Sequence, residues 1–150
     1  MASIHTITDQ AQRLAEIHAA SFDFSWSASD FDDMLKGPHY LTYGVFADET
    51  IKSFVVLSHV AGEGEILTLA TDPHHRRQGL AGDLMRHVIE TLRADAFESL
   101  FLEVAADNPT ALNLYERLGF RRAGVRKAYY SRRIGPPVDG YALRLELKKA

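Results

Sequence analysis

The sequence predicts an α/β fold on a mixed sheet of about seven strands flanked by about four helices, and three observations predict it. Between Leu41 and Thr71, aromatic and β-branched segments follow one another across two short turns, the pattern of an antiparallel meander. Beyond Asp72-Pro73, apolar residues recur at three- and four-residue spacing around Leu84 and again around Leu112. Each stretch leads into a strand-like run, so crossover helices join strands with parallel or mixed pairing. The chain has 150 residues, 46% hydrophobic and 25% charged. That is the size and balance of one globular domain, expected to span 1–150.

Residues 3–7 read as a first strand, and Thr8 is the expected cap of a helix through Leu14, Ile17 and His18. Ser27 with Asp30 is a candidate capping box for a second helix carrying Phe31, Met34 and Leu35, which Gly37-Pro38 ends. Strands over 41–47 and 51–59 flank a turn at Asp48-Glu49-Thr50. A second turn, Ala61 to Gly64, leads into a strand over 65–71. Gly79 opens a helix whose apolar face holds Leu80, Leu84, Met85, Val88, Ile89 and Leu92. Leu100 to Val104 is a short apolar strand. Asn108-Pro109 then starts a helix, with Asn as cap and Pro at the first helical position, and Gly119 ends it. Phe120–Tyr130 and Val138–Leu147 complete the strands.

Composition excludes several classes of function. With no cysteine there is no disulfide framework, thiol nucleophile or thiolate metal site. A net charge of -3 argues against a dedicated nucleic-acid binder, so no direct nucleic-acid partner is expected. The strongest apolar runs, such as Phe54 to Leu57, are too short to span a bilayer, and the first residues lack a basic segment followed by an apolar one. A cytoplasmic protein with no membrane partner is the expectation. The charge is uneven: residues 1–72 are strongly acidic and 121–150 strongly basic.

The segment from Thr68 to Gly82 carries the chemistry. A strand enters a loop with Arg76 and Arg77, and Gly79 opens a helix. Free backbone N–H groups at a helix start, with the positive end of its dipole, bind anions. Gly79, Ala81 and Gly82 let a phosphate approach the backbone. The P-loop and dinucleotide glycine patterns are absent. His74-His75 lack a third metal ligand at suitable spacing, so no metal is expected.

Arg76-Arg77-Gln78-Gly79-Leu80-Ala81 resembles the pyrophosphate loop of the GNAT family of acyl-CoA-dependent N-acetyltransferases. The resemblance extends over nearly the whole chain. Glu65–Ala70, Leu102-Glu103-Val104, Asp107-Asn108, Leu114–Phe120 and Gly124–Tyr130 recur in the order of the RimI-type members, which acetylate the N-terminal alanine of a ribosomal small-subunit protein. The resemblance implies a largely antiparallel GNAT sheet and acetyl-CoA as cosubstrate. It implies cofactor contacts from Leu69, Ala70, Thr71, Arg76, Arg77, Gln78, Gly79, Leu80, Ala81, Gly82 and Asn108. The implied acceptor is a protein or peptide N-terminus, that of a ribosomal protein. Ser53 and Ser58 depart from the family on the third strand, on the acceptor side.

Joining an amine to a thioester requires a neutral nucleophile and a proton for the departing thiolate. An α-amine titrates at about 7.7–8.0 and a lysine at about 10.4, so a modest base suffices for the former. From pattern alone, Glu103 is either a solvent-facing or a partnered carboxylate, and Tyr115 a core tyrosine. The resemblance makes Glu103 the general base and Tyr115 the general acid, with direct transfer and no covalent intermediate. On the same reading the acidic first half borders the acceptor, and Arg76 and Arg77 face the pyrophosphate. Acetylation of a small amine or a lysine side chain, and acyl-CoA sensing without turnover, are the alternatives.

Overall fold

The computed structural model describes residues 2–148. β1 (Ser3–Thr6) is a short strand at one edge of the sheet, and α1 (Ala11–Ala19) follows it. The chain enters α1 through Gln10 in the left-handed region (φ 73°) with no side-chain cap, so the helix begins later than a Thr8 cap would set it. α2 (Ala28–Lys36) has the predicted capping box: Asp30 N–H donates to Ser27 Oγ, and Ser27 N–H donates back to Asp30 Oδ2.

The meander forms as β2 (Tyr40–Ala47), β3 (Thr50–Val60) and β4 (Glu63–Thr71), paired antiparallel. Both turns have two residues at positive φ, Asp48-Glu49 and Ala61-Gly62, the geometry that matches the twist of the strands. α3 (Leu80–Ala94) then crosses to β5 (Ser99–Ala105), which pairs parallel to β4. α4 (Pro109–Arg117) leads to β6 (Arg121–Tyr130), and β7 (Val138–Glu146) returns between β5 and β6. The order is β1-β2-β3-β4-β5-β7-β6, and every pair except β4–β5 is antiparallel.

Each sheet face has its own core. On one, Leu84, Met85, Val88 and Leu92 of α3 pack against Val55, Leu57, Leu100, Leu102 and Leu143. On the other, Leu14, Ile17 and Phe31 of α1 and α2 pack against Ile51, Phe54 and Val56. No residue of β5, β6 or β7 belongs to this second cluster. The second face is therefore roofed over the meander and open beyond it.

The sheet also parts down its middle. β4 pairs with β5 only from Glu63 to Ile66, matched to Ser99 to Leu102. The β3–β4 register shifts at that point: Leu57 faces Ile66 while Val56 faces Thr68, leaving Leu67 as an extra residue. Such a bulge bends its strand, and here β4 turns away from β5. Leu67–Thr71 of β4 and Glu103–Ala105 of β5 line the two sides of the gap.

Candidate active site

The glycine loop stands at the end of the parted strand. After Thr71, whose hydroxyl lies 2.9 Å from Ser53 Oγ, the chain makes a 3₁₀ turn (Pro73–His75) capped by Asp72. The Arg13 guanidinium, bonded at 2.6 Å to Asp72 Oδ2, holds that carboxyl down at about 2. Asp72 Oδ1 accepts from His74 N–H. Arg13 also donates twice to the Ile51 carbonyl, which ties α1 and β3 to the root of the loop.

Arg77 and Gly79 take left-handed backbone angles (φ 62° and 77°), and Gly79 caps α3. A Cβ added at Gly79 would meet nothing within 4 Å, so the backbone there borders open space. The first intrahelical bond runs from Asp83 N–H to the Gly79 carbonyl. The N–H groups of Leu80, Ala81 and Gly82 precede it and have no partner within the helix. Open space, positive φ and free amides fit a pyrophosphate.

The predicted contact residues do not all converge there. Arg76 donates to Ser21 Oγ at 3.0 Å and reaches toward the Ala20 carbonyl, so its guanidinium serves the end of α1. Gln78 and Arg77 are exposed at the loop tip, whereas Leu80 and Ala81 are half-buried and Gly82 is buried in the first turn of α3. Leu69 is half-buried against the α3 core, and Ala70 is buried beneath α1 and α2. Asn108 lies across the gap, where its Oδ1 accepts from Ala111 N–H and caps α4.

Leu102 and Val104 belong to the core under α3 and α4, so strand alternation turns Glu103 to the other, open face. Its side chain is 18% exposed. Oε1 accepts from Arg126 Nη1 at 2.9 Å, and Oε2 is buried with no hydrogen-bond partner. Glu65, opposite Phe101 in the register, shares this face, and burial together with the Glu103 carboxylate raises its pKa. Tyr115 is buried on α4, edge-on to Phe120 at 5.4 Å, and burial pushes its hydroxyl well above the usual phenol value. Tyr130 is pushed up to about 12, mainly by burial and then by Glu103, and its own charge acts on Tyr115. Tyr130 is thus within electrostatic reach of both predicted catalytic groups.

Two loops border the open face. Arg133, between β6 and β7, donates to the Asp23 carbonyl in the α1–α2 loop at 2.7 Å. Arg132 makes a two-pronged pair with Asp107, through Nε at 3.0 Å and Nη2 at 2.7 Å. Phe24 and Ile134 are exposed beside these ties. His18 supports the α1–α2 loop from below: Trp26 N–H donates to its Nδ1, Trp26 stacks on its ring, and burial lowers it to about 4. The basic C-terminal segment therefore forms part of the border, which is of mixed charge. Sequence pattern does not reveal these ties, which link residues 23 to 110 positions apart.

A groove of about 450 Å³ continues from Glu65 along the open face, lined by Ser58, His59, Glu63, Phe101 and Arg144 among others. Among the described residues, no three His, Cys, Asp or Glu side chains are grouped to hold a metal ion.

Known proteins resemble this chain over most of its length. The profile of the acetyltransferase (GNAT) family matches residues 11–120. The [ribosomal protein bS18]-alanine N-acetyltransferase of Escherichia coli strain K12 is 35% identical over 117 residues, 78% of this chain and 75% of that protein. The N-alpha-acetyltransferase RimI of Mycobacterium tuberculosis is 32% identical over 140 residues, 89% of this chain and 85% of its own. The crystal structure of the ribosomal-protein-S18-alanine N-acetyltransferase from Escherichia coli covers 100% of this chain and 96% of its own, with a TM-score of 0.93 and 30% identity. Arabidopsis thaliana NAA60 in complex with acetyl-CoA shares the fold at 20% identity, with a TM-score of 0.85 and coverage of 97% and 98%.

Proposed function

The chain belongs to the acetyltransferase (GNAT) family and is an acetyl-CoA-dependent N-acetyltransferase, and we propose that it acts as one domain on a protein N-terminal amine, the N-terminal alanine of a ribosomal small-subunit protein. The observation that carries the acceptor is the 35% identity, over most of the chain, to an enzyme named for alanine acetylation of bS18. No helix among the described residues is long and apolar enough to cross a membrane. We place the reaction in the cytoplasm, where such an acceptor is made.

Acetyl-CoA supplies an acetyl group activated as a thioester. On our reading, the amides of Leu80, Ala81 and Gly82 and the open backbone at Gly79 hold its pyrophosphate, and the free edge of β4 from Leu69 to Thr71 lies along its arm. Of the predicted contacts, Asn108 faces it from across the gap, while Arg77 and Gln78 close over it from the loop tip. Arg76 supports the loop from α1.

Glu103 accepts the proton of the acceptor amine as the nitrogen lone pair forms the new N–C bond. The C–S bond breaks, and Tyr115 gives its hydroxyl proton to the departing thiolate. A phenol titrates at about 10 and so holds its proton at neutral pH, available to a thiolate beside it. An α-amine is already partly neutral there, so a glutamate is base enough.

Mass spectrometry of a mixture of alanine-initiated, lysine-containing and small-amine acceptors tests this reading. Acetyl added to the α-amine of the alanine peptide is the expected result. Acetylation of the small amines or lysines alone would overturn the acceptor, and acetyl-CoA binding without any product would overturn turnover itself.

A further inference from the structure

We propose that Arg126 is the positioning residue of the proton-accepting carboxylate: by bonding to Oε1 of Glu103 it fixes the orientation of that carboxylate on the open face beside the gap. The inference rests on Glu103 as the general base and adds how that base is aimed.

The two oxygens of Glu103 have different surroundings. Oε1 has a charge-assisted bond of 2.9 Å, whereas Oε2 is withdrawn from solvent with nothing to bond. A buried acceptor left without a donor is costly, and it persists where a ligand supplies the donor.

Arg126 is itself held in place. Its guanidinium lies 4.1 Å from the centroid of the Tyr129 ring. The β6–β7 ladder breaks after Arg126↔Gly140 and resumes at Tyr130↔Val138. Within the break Ala128 adopts φ 50°, and its N–H donates to Asp139 Oδ1 at 2.8 Å. A left-handed alanine costs about 1 kcal/mol or more, so the surrounding contacts impose this distortion. It brings the Tyr129 ring over the guanidinium and Tyr130 toward Glu103.

The charges on this face call for such a cation. Facing Glu103 are Glu65 from β4 and Arg126 and Tyr130 from β6, with Tyr129 against the far side of Arg126. Arg144 of β7 is engaged with Glu146 and Glu63 instead. Without Arg126 the Glu103 carboxylate would keep Glu65 as a like-charged neighbour and lose the cation bonded to it.

The test compares Glu103→Gln, Arg126→Gln and Arg126→Lys in full-length enzyme with an alanine-initiated peptide, reading kcat and the KM for each substrate. Arg126→Gln is expected to lower kcat about ten-fold with little change in the KM for acetyl-CoA. Arg126→Lys should restore only part of kcat, since a lysine keeps the charge without the fork. If Glu103→Gln is inactive while Arg126→Gln keeps the wild-type kcat, Arg126 has no positioning role and Glu103 remains the base. A fully active Glu103→Gln would overturn both.

Discussion

Arg13 Nη2 stands 2.6 Å from Asp72 Oδ2, so the first helix is clamped to the residue where β4 becomes the glycine loop. Both side chains are largely covered, and the same guanidinium also bonds the Ile51 carbonyl. The loop thus takes its orientation from a helix on the opposite side of the meander.

Replacing Arg13 with alanine should cost about 1–2 kcal/mol and lower Tm by several degrees at neutral pH. The loss should depend on pH. Asp72 is held at about 2 in the fold against an ordinary 3.8, so its pairing stabilises the fold above the ordinary value. That contribution fades as pH falls through the folded value. The Tm difference between wild type and Arg13→Ala should therefore narrow between about pH 4 and pH 2. A difference that stays constant through that window would show that Asp72 is not the partner that matters.

Glu103→Gln should lower kcat by a factor on the order of 10² or more, with an acetyl-CoA Kd near that of the wild type. Tyr115→Phe should also slow turnover and leave Kd largely intact. Burial raises the Tyr115 hydroxyl, so no alkaline limb from its deprotonation should appear below about pH 10. Steady-state profiles and calorimetric titration check these outcomes. Wild-type rates in both variants would remove them from the chemistry.

Gly79→Val should weaken acetyl-CoA binding at least about ten-fold. The glycine adopts φ 77° beside open space, and a β-branched side chain would strain the backbone and fill that space. The strain should cost about 1–3 kcal/mol of stability, well within the reserve of an ordinary domain. Unchanged binding in a folded variant would move the pyrophosphate elsewhere.

Thr68→Val should leave Tm unchanged or raise it. Thr68 is 6% exposed and its Oγ1 is buried without a partner. It sits opposite Val56, under the α1–α2 core. Exchanging an orphaned hydroxyl for a methyl of the same shape removes a polar group that gains nothing from being buried. A melting curve that drops by several degrees would reveal a bond the hydroxyl makes.

Local signals made much of the fold legible. The hairpin turns, the Ser27 box, the Asn108-Pro109 start and the glycine opening α3 each depend on a few adjacent residues. The Thr8 cap failed for a local reason: the chain enters α1 through Gln10 in the left-handed region, two residues later, and no side chain caps the helix. The place of β7 was not legible, because strand alternation is the same whether a strand lies at an edge or between β5 and β6. The site divides in the same way. Helix-start chemistry made the anion loop readable. The bond from Arg126 to Glu103 depends on which strands become neighbours, and the paired arginines of the C-terminal segment look like solvated charge until Asp107 and Asp23 are brought to them.

The parting of β4 from β5 has a consequence for endurance as well as for chemistry. From Leu67 onward β4 has peptide groups with no strand on that side. A slender ligand bearing amides of its own can lie there as a guest strand and bridge the two halves of the sheet. Such a ligand is held by the folded chain and not by the unfolded one, so by mass action melting should rise with acetyl-CoA concentration. In a cell, the lifetime of this enzyme would then follow the supply of its cosubstrate.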